Sequence, residues 1–257
     1  MLSVVVIAFN EARHIGPCLE SARMVADEMV VVDSYSRDGT AEIAREAGAR
    51  VCQHVFKDFA DLRDAALEAA KGDWVFFLDA DERVDEKVAG EVRAEIAKSE
   101  AGANGPVLFW IPRRNYLFGK WIKHAGWSPD YQPRIMRKAR VHYDPGRLVH
   151  ELVIADGPEA YLKELLTHYN YDTVAQFRKK QRSYTRLEAR MLYEDGVRPR
   201  RRGLIGQPLR EFVRRYITLQ GYRDGAYGLV LCALMAYYAF ERQRMLGDMW
   251  KGGARQG

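Results

Sequence analysis

The chain has 257 residues, 47% hydrophobic and 29% charged, enough for one large globular domain or a domain with an appended module; this excludes a disordered chain and a stapled mini-domain. Its three cysteines, Cys18, Cys52 and Cys232, are odd in number and form no CxxC pair, which sets aside a disulfide framework or a zinc site and fits a reducing compartment. The net charge of +5 is unevenly placed: residues 171–257 hold 18 Lys and Arg against 8 Asp and Glu, whereas residues 1–170 hold 22 against 27, so a mildly acidic body carries a basic final third suited to an anionic partner.

Residues 3–9 form a continuous apolar run, with no basic segment and small-residue cleavage site before it, so no secretory signal is expected. A helical pattern follows over 14–26, then a second apolar run, Met29-Val30-Val31-Val32, ended by Asp33 and a turn-rich Ser34-Tyr35-Ser36-Arg37-Asp38-Gly39. Helices are predicted over 40–47 and 60–71, each stopped by glycine, and strands over 49–53 and 74–78. These strands are apolar throughout, which fits a parallel sheet covered on both faces, and the strand–helix alternation predicts a doubly wound α/β domain. Residues 107–168 are aromatic, basic and punctuated by Pro and Gly, and read as short strands and functional loops. Basic helical patterns then cover 172–194, 208–220 and 222–246, with an arginine-rich linker over 198–202.

Ligands of open α/β sheets sit beyond the carboxyl ends of the strands. Three polar clusters fall there: Asn10-Glu11, Asp33 and Asp79-Ala80-Asp81. Paired carboxylates suit a hard divalent cation such as Mg²⁺ or Mn²⁺, which would neutralise charge on a departing diphosphate. Taken alone, Asp81 could instead cap a helix over 84–96, and Asp33 could simply form a turn. Neither a G-x-G-x-x-G fingerprint nor a P-loop follows the first strand.

These segments resemble family 2 glycosyltransferases of the GT-A fold. The resemblance rests on Val4-Val5-Val6-Ile7-Ala8-Phe9-Asn10-Glu11, on Val31-Val32-Asp33 with the turn up to Thr40, and on Phe77-Leu78-Asp79-Ala80-Asp81-Glu82. It implies a Rossmann-like, mostly parallel sheet with helices on both faces, followed by a C-terminal basic helical extension. Residues 1–170 would be the catalytic domain, with 1–100 binding the nucleotide sugar and 101–170 on the acceptor side; 171–257 would be the extension, associating with a membrane. By resemblance Phe9, Asn10, Glu11 and Asp33 hold the nucleoside, Arg63 reaches the base or diphosphate, and Asp79 and Asp81 serve the ribose, diphosphate and metal. The later segments Trp127-Ser128-Pro129-Asp130-Tyr131-Gln132-Pro133-Arg134, Val149-His150-Glu151, 166–171 and 221–228 are similar, more loosely, to lipopolysaccharide-core glucosyltransferase-like enzymes. That likeness implies inverting transfer from a nucleotide sugar, often UDP-linked, onto a lipid-anchored saccharide.

Inverting transfer needs a base for the acceptor hydroxyl proton. Glu151 and Asp130 are the candidates, whereas Glu194-Asp195 reads as solvated surface beside Gly196. His150 or His168 could complete the coordination of a metal held by Asp81 and Asp79. Gln207-Pro208-Leu209-Arg210 continues with Glu211 rather than Trp, so the Gln-x-x-Arg-Trp signature of processive synthases is absent and addition of a single sugar is expected. The apolar run 229–240 is too short to span a bilayer, which takes about 20 residues. Arg198, Arg200, Arg201, Arg202, Arg210, Arg214 and Arg215 could meet anionic head groups, with Phe212, Tyr216 and Leu219 at the acyl boundary. The expected location is cytoplasmic, peripheral on the inner face of the inner membrane. No nucleic-acid-binding signature accompanies the basic charge. The competing functions are a sugar-phosphate nucleotidyltransferase, which would favour a Gly- and Lys-rich loop where Asn10-Glu11 stands, and a non-catalytic nucleotide-sugar-binding protein at the membrane.

Overall fold

The computed structural model describes residues 1–102, 104–143, 153–200 and 202–253. The chain begins β1 (Leu2–Ala8), α1 (Ala12–Ala22), β2 (Glu28–Asp33), α2 (Thr40–Glu46), β3 (Arg50–Gln53), α3 (Phe59–Ala69), β4 (Trp74–Asp79), β5 (Glu82–Arg83) and α4 (Glu86–Ala101). It continues through β6 (Leu108–Leu117), β7 (Lys120–Trp121), β8 (Tyr131–Arg137), β9 (Val141–Tyr143), β10 (Val153–Ala155), β11 (Glu159–Tyr161) and β12 (Leu166–Tyr171). It ends in the helices α5 (Val174–Glu194), α6 (Gly203–Val213) and α7 (Ala226–Gly253). Contacts divide the chain into two compact units, residues 1–114 with 130–168 and residues 115–129 with 169–257.

In the first unit the strands run β3-β2-β1-β4-β8-β6. The first four are mutually parallel, whereas β8 is antiparallel to both β4 and β6. The apolar runs are explained by their two faces. Val4, Val6, Val31, Phe76 and Leu78 join a core with Ile15 and Leu19 of α1 and Val88 and Val92 of α4. Their alternates Val5, Val30, Val32, Val75 and Phe77 join a second core with Leu62, Ala66 and Leu67 of α3. Each fully buried large side chain contributes about 1.5–3 kcal/mol, so both faces must be covered for these strands to be stable. This is the mixed α/β sheet with flanking helices that the sequence implied.

The second unit has its own small core of Leu117, Ile122, Tyr171, Phe177, Leu231 and Tyr238. The segment 115–129, expected to lie with the strands around it, belongs to this helical unit. Buried Asp224 explains the placement: its carboxylate accepts from the backbone N–H of Lys123 and His124 at 3.3 and 2.9 Å. Arg215 adds a hydrogen bond to the Ala125 carbonyl at 2.7 Å. Gly228 must be glycine, because a Cβ there would collide with the Gly221 carbonyl oxygen. Among the described residues no helix is long and apolar enough to cross a membrane.

The predicted helix over 208–220 starts earlier, at Gly203, and keeps Pro208 inside it before passing into a π-helical turn, Arg214–Thr218. The shift changes which side chains face out. Phe212 and Tyr216 are half-buried and stacked at 5.3 Å, and Arg215 turns inward to Glu211 at 2.6 Å. The exposed apolar residues are instead Ile205, Leu209, Val213 and Ile217. Glu194 and Asp195 are exposed, as expected, with Glu194 paired to Arg190.

Candidate active site at the carboxyl ends of the strands

The register of the parallel strands brings the predicted clusters to one edge. Asp33 pairs with Ala8, and Asp79 with Ile7 one residue earlier on β1. Asn10 adopts the left-handed region at φ 56°, which a short amide side chain tolerates. Its N–H donates to Ser36 Oγ at 2.8 Å, and its Oδ1 accepts from the Arg37 N–H at 2.9 Å. The Glu11 N–H donates to Thr40 Oγ1 and the Ala12 N–H to Asp38, so the loops after β1 and β2 are stitched together. Hydrogen bonds from Thr40 hold the Asp38 carboxyl below the usual range. Asp33 is buried and accepts from the Ser36 N–H at 3.1 Å, so it shapes this turn while standing at the strand end. Phe9 presents an exposed ring, the condition for stacking on a base.

Asp81 does not cap the following helix. Asp85 does so, accepting from the Val88 N–H at 3.0 Å. Asp79 and Asp81 instead have separate partners. Arg134 of β8 grips both oxygens of Asp79, and Arg63 of α3 lies 3.7 Å from Asp79 Oδ1. The Arg63 guanidinium also sits 4.6 Å over the Phe77 ring. Burial works to raise the Asp79 carboxyl, but the charges of Arg134 and then Arg63 outweigh it and hold Asp79 well below the usual carboxylate range. Beneath them Glu82 is 0% exposed and accepts from Arg134 at 2.7 Å, from Arg113 at 3.3 Å and from the Asp79 N–H at 2.9 Å. Burial works against the Arg134 charge, but Asp79 and Glu82 prevail and raise its pKa. Cys18 lies nearby, its Sγ 3.4 Å from the Asp79 carbonyl oxygen; burial pushes this thiol far up, out of the range of nucleophiles.

Among the described residues, His168 is a histidine found beside Asp81. Antiparallel pairing of β12 with β5 sets His168 opposite Glu82, and its Nε2 lies 3.5 Å from Asp81 Oδ2. A carboxylate oxygen and an imidazole nitrogen are each acceptable donors to a divalent cation, the carboxylate suiting a hard ion such as Mg²⁺ or Mn²⁺. Among the described residues no group of three or more metal-ligating side chains occurs. His150 and Glu151, named from the sequence as metal ligand and base, lie outside the described residues.

Asp130 is held from both sides. Arg113 donates to its Oδ2 from Nε at 2.9 Å and lies 2.8 Å away through Nη2, while Gln132 donates to Oδ1 at 2.8 Å. Arg113 therefore bridges Asp130 to Glu82. Glu82, Arg113 and Arg134 had no role in the sequence reading. The sequence carries no local signal for them, since Arg134 stands between Gln132-Pro133 and Ile135-Met136-Arg137-Lys138, among other polar and charged residues.

Comparison with known proteins adds to this geometry. The family described as "Glycosyl transferase family 2" matches residues 3–151. The lipopolysaccharide core biosynthesis glycosyltransferase LpsC of Rhizobium meliloti is 31% identical over 246 residues, covering 93% of this chain and 89% of that protein. An uncharacterized glycosyltransferase of Rickettsia bellii is 23% identical over 266 residues, covering 96% of this chain and 86% of its own. Among solved structures, S. aureus TarS 1–349 in complex with UDP aligns with a TM-score of 0.50 at 16% identity, covering 98% of this chain and 91% of that one. That last likeness is one of fold.

Proposed function

The chain belongs to glycosyl transferase family 2, and on that premise we propose that it transfers a single sugar, with inversion and with a divalent cation, from a UDP-linked donor to a lipid-anchored saccharide such as a lipopolysaccharide core. The gathering of Asn10, Asp33, Arg63, Asp79 and Asp81 at the carboxyl ends of β1, β2 and β4 carries this reading. LpsC, similar over most of both chains, supports the lipopolysaccharide-core acceptor class.

Phe9, Asn10, Glu11 and Asp33 take the nucleoside, with the Phe9 ring on the base. Asp79, kept ionised by Arg134, accepts from ribose hydroxyls, and Arg63 lies within reach of the diphosphate. A bound Mn²⁺ or Mg²⁺ would neutralise charge on the leaving diphosphate, with Asp81 and His168 as its protein donors and Asp79 at one remove. The acceptor oxygen bonds to the anomeric carbon as the bond to the diphosphate breaks, and the acceptor proton passes to a carboxylate. We assign that carboxylate to Glu151. Asp130 already accepts hydrogen bonds on both oxygens and is better suited to hold Arg113 in place. Residues 1–100 serve the donor and 101–170 the acceptor, while the basic residues 171–257 meet an anionic membrane on its cytoplasmic face.

The test is a panel of UDP-sugars with a core saccharide acceptor, assayed with Mn²⁺, with Mg²⁺ and with chelator, and the product anomer read by NMR. Chelation should abolish transfer, and the anomeric configuration should invert. Glu151→Gln should lose turnover while donor affinity is kept. Near-normal turnover in that variant, with loss in Asp130→Asn, would move the base to Asp130.

A further inference from the structure

The outer face of α6 carries two parallel rows. Ile205, Leu209, Val213 and Ile217 recur every four residues and are 77%, 61%, 45% and 56% exposed. Arg202, Gly206, Arg210 and Arg214, all exposed, recur at the same spacing one residue away from them. Side chains four apart stack on one helix face. An apolar ridge therefore runs beside an arginine ridge along the full length of α6 and into the π-helical turn. A helix that packed this side into its own unit would bury the leucine and isoleucines; here the inward side is taken by other residues, such as Phe212, Arg215 and Tyr216.

The same unit concentrates more basic charge at the start of α6. Arg198, Arg200, Arg202, Arg210 and Arg242 line a cleft of about 1190 Å³, against the carboxylates of Glu188 and Asp195. Of these arginines Arg242 is paired with Glu188, at 2.8 Å.

From this arrangement we propose that the exposed face of α6 lies flat on an anionic phospholipid bilayer, its apolar row entering the acyl boundary and its arginine row meeting lipid phosphates. The inference rests on the reading of a lipid-anchored acceptor and adds the surface that carries the protein to it. Charge complementarity selects this occupant. A two-fold contact that crosses two copies of α6 antiparallel would set each arginine row against the same row of its mate, whereas a bilayer rich in phosphate groups satisfies both rows at once.

The experiment is vesicle co-sedimentation of the full chain, using phosphatidylcholine with and without phosphatidylglycerol at low and high salt. Wild type should bind the anionic vesicles and release them as salt rises. Leu209→Glu with Ile217→Glu, both at exposed positions, should weaken binding by about tenfold or more through lost apolar insertion and added repulsion. The double variant should melt like wild type and keep its transfer to a detergent-dispersed acceptor. Arg202→Glu with Arg210→Glu should weaken binding and flatten its salt dependence. The proposal falls if the variants bind like wild type, or if neutral vesicles bind equally well. It also falls if, without lipid, sedimentation shows a wild-type dimer that Leu209→Glu with Ile217→Glu converts to monomer, since the face would then serve a second copy. A chain that binds anionic vesicles but neither hydrolyses nor transfers any donor sugar keeps the docking face and loses the transferase reading. A chain that transfers to a soluble core saccharide but ignores vesicles loses only the docking face.

Discussion

In the strand-built unit the charges at the site are covered and paired. Arg134 is 4% exposed and reaches both Asp79 and Glu82, and Arg113 joins Glu82 to Asp130. In the helical unit Arg202, Arg210 and Arg214 are exposed beside an apolar row that is exposed as well, with Arg214 donating to Glu211, three residues before it, at 2.8 and 3.1 Å. Taking a charge out of water costs several kcal/mol unless partners are fixed around it, so each buried guanidinium of the first unit is tied to a set geometry. An exposed arginine is tied more weakly, because even a pair in solvent adds little to stability, and this leaves it available to a partner that brings its own negative charge. The candidate site of one unit thus shows charge fixed in position, and the outer face of α6 in the other shows charge spread over a surface.

The largest effect that could break this comparison is at Glu82. Glu82→Ala leaves Arg134 and Arg113 without a shared carboxylate and should destabilise the strand-built unit by about 3–5 kcal/mol, read by urea unfolding followed through buried Trp74. Removing Arg190 from its exposed pair with Glu194 should cost only about 0.3–0.5 kcal/mol. Equal costs would erase the distinction between the two kinds of charge. Next comes Asp81→Asn, which should lower kcat by about 10²–10³-fold by weakening the hold on the cation that would neutralise the developing diphosphate charge, with the melting temperature little changed. A turnover within a few-fold of wild type would remove Asp81 from the site.

Arg134→Met sharpens the comparison through pH. The folded state holds the Asp79 carboxyl below its unfolded value of about 3.9, so its stabilisation is complete above that value and is lost as pH falls through the lower, folded value. Without Arg134 the burial that raises Asp79 loses its main opponent. The folded value then moves up, and the acid-unfolding midpoint should move to higher pH. An unchanged midpoint would mean that Arg63 and Arg113 alone keep Asp79 ionised.

What could be read in the sequence follows the range of the interaction that decides it. Strands β1, β2 and β4 show in their uninterrupted apolar runs because both faces are covered, and their polar ends mark the site edge. For Asp81 the cap reading is removed by Asp85, only four residues on, which takes the cap. Glu82 was in plain view beside Asp81, but its partners Arg113 and Arg134 lie 31 and 52 residues away, and only the folded antiparallel strands β6 and β8 bring them in. The sequence offers His168 beside His150 as an alternative, and the register of His168 opposite Glu82 sets it next to Asp81, while His150 lies outside the described residues. In the helical unit the start of α6 was misread because Pro208 suggests a first helical turn, where its missing N–H costs nothing. That shift hid Ile205 and pointed to Phe212 and Tyr216, which are turned toward other rings.

A smaller, local effect concerns how the long helix α5 begins. Thr173 Oγ1 accepts from the Gln176 N–H at 3.2 Å, and Gln176 Oε1 accepts in return from the N–H groups of Thr173 and Asp172 at 3.3 and 2.9 Å. Such a reciprocal cap satisfies donors that the first helical turn would otherwise leave open. Thr173→Ala should cost about 1 kcal/mol, as caps elsewhere do. Hydrogen exchange should register the loss as faster exchange in the first turn of α5, with the amides of β1, β2 and β4 unaffected, because openings of this size are local. Asp85→Ala, which removes the corresponding cap of α4, should give a loss of similar size in the strand-built unit. If Thr173→Ala instead lowered protection equally across β1, β2 and β4, a cap in the helical unit would be setting the stability of the whole chain. The contrast between paired and solvent-facing charge would then describe where the two units work, but not where stability resides.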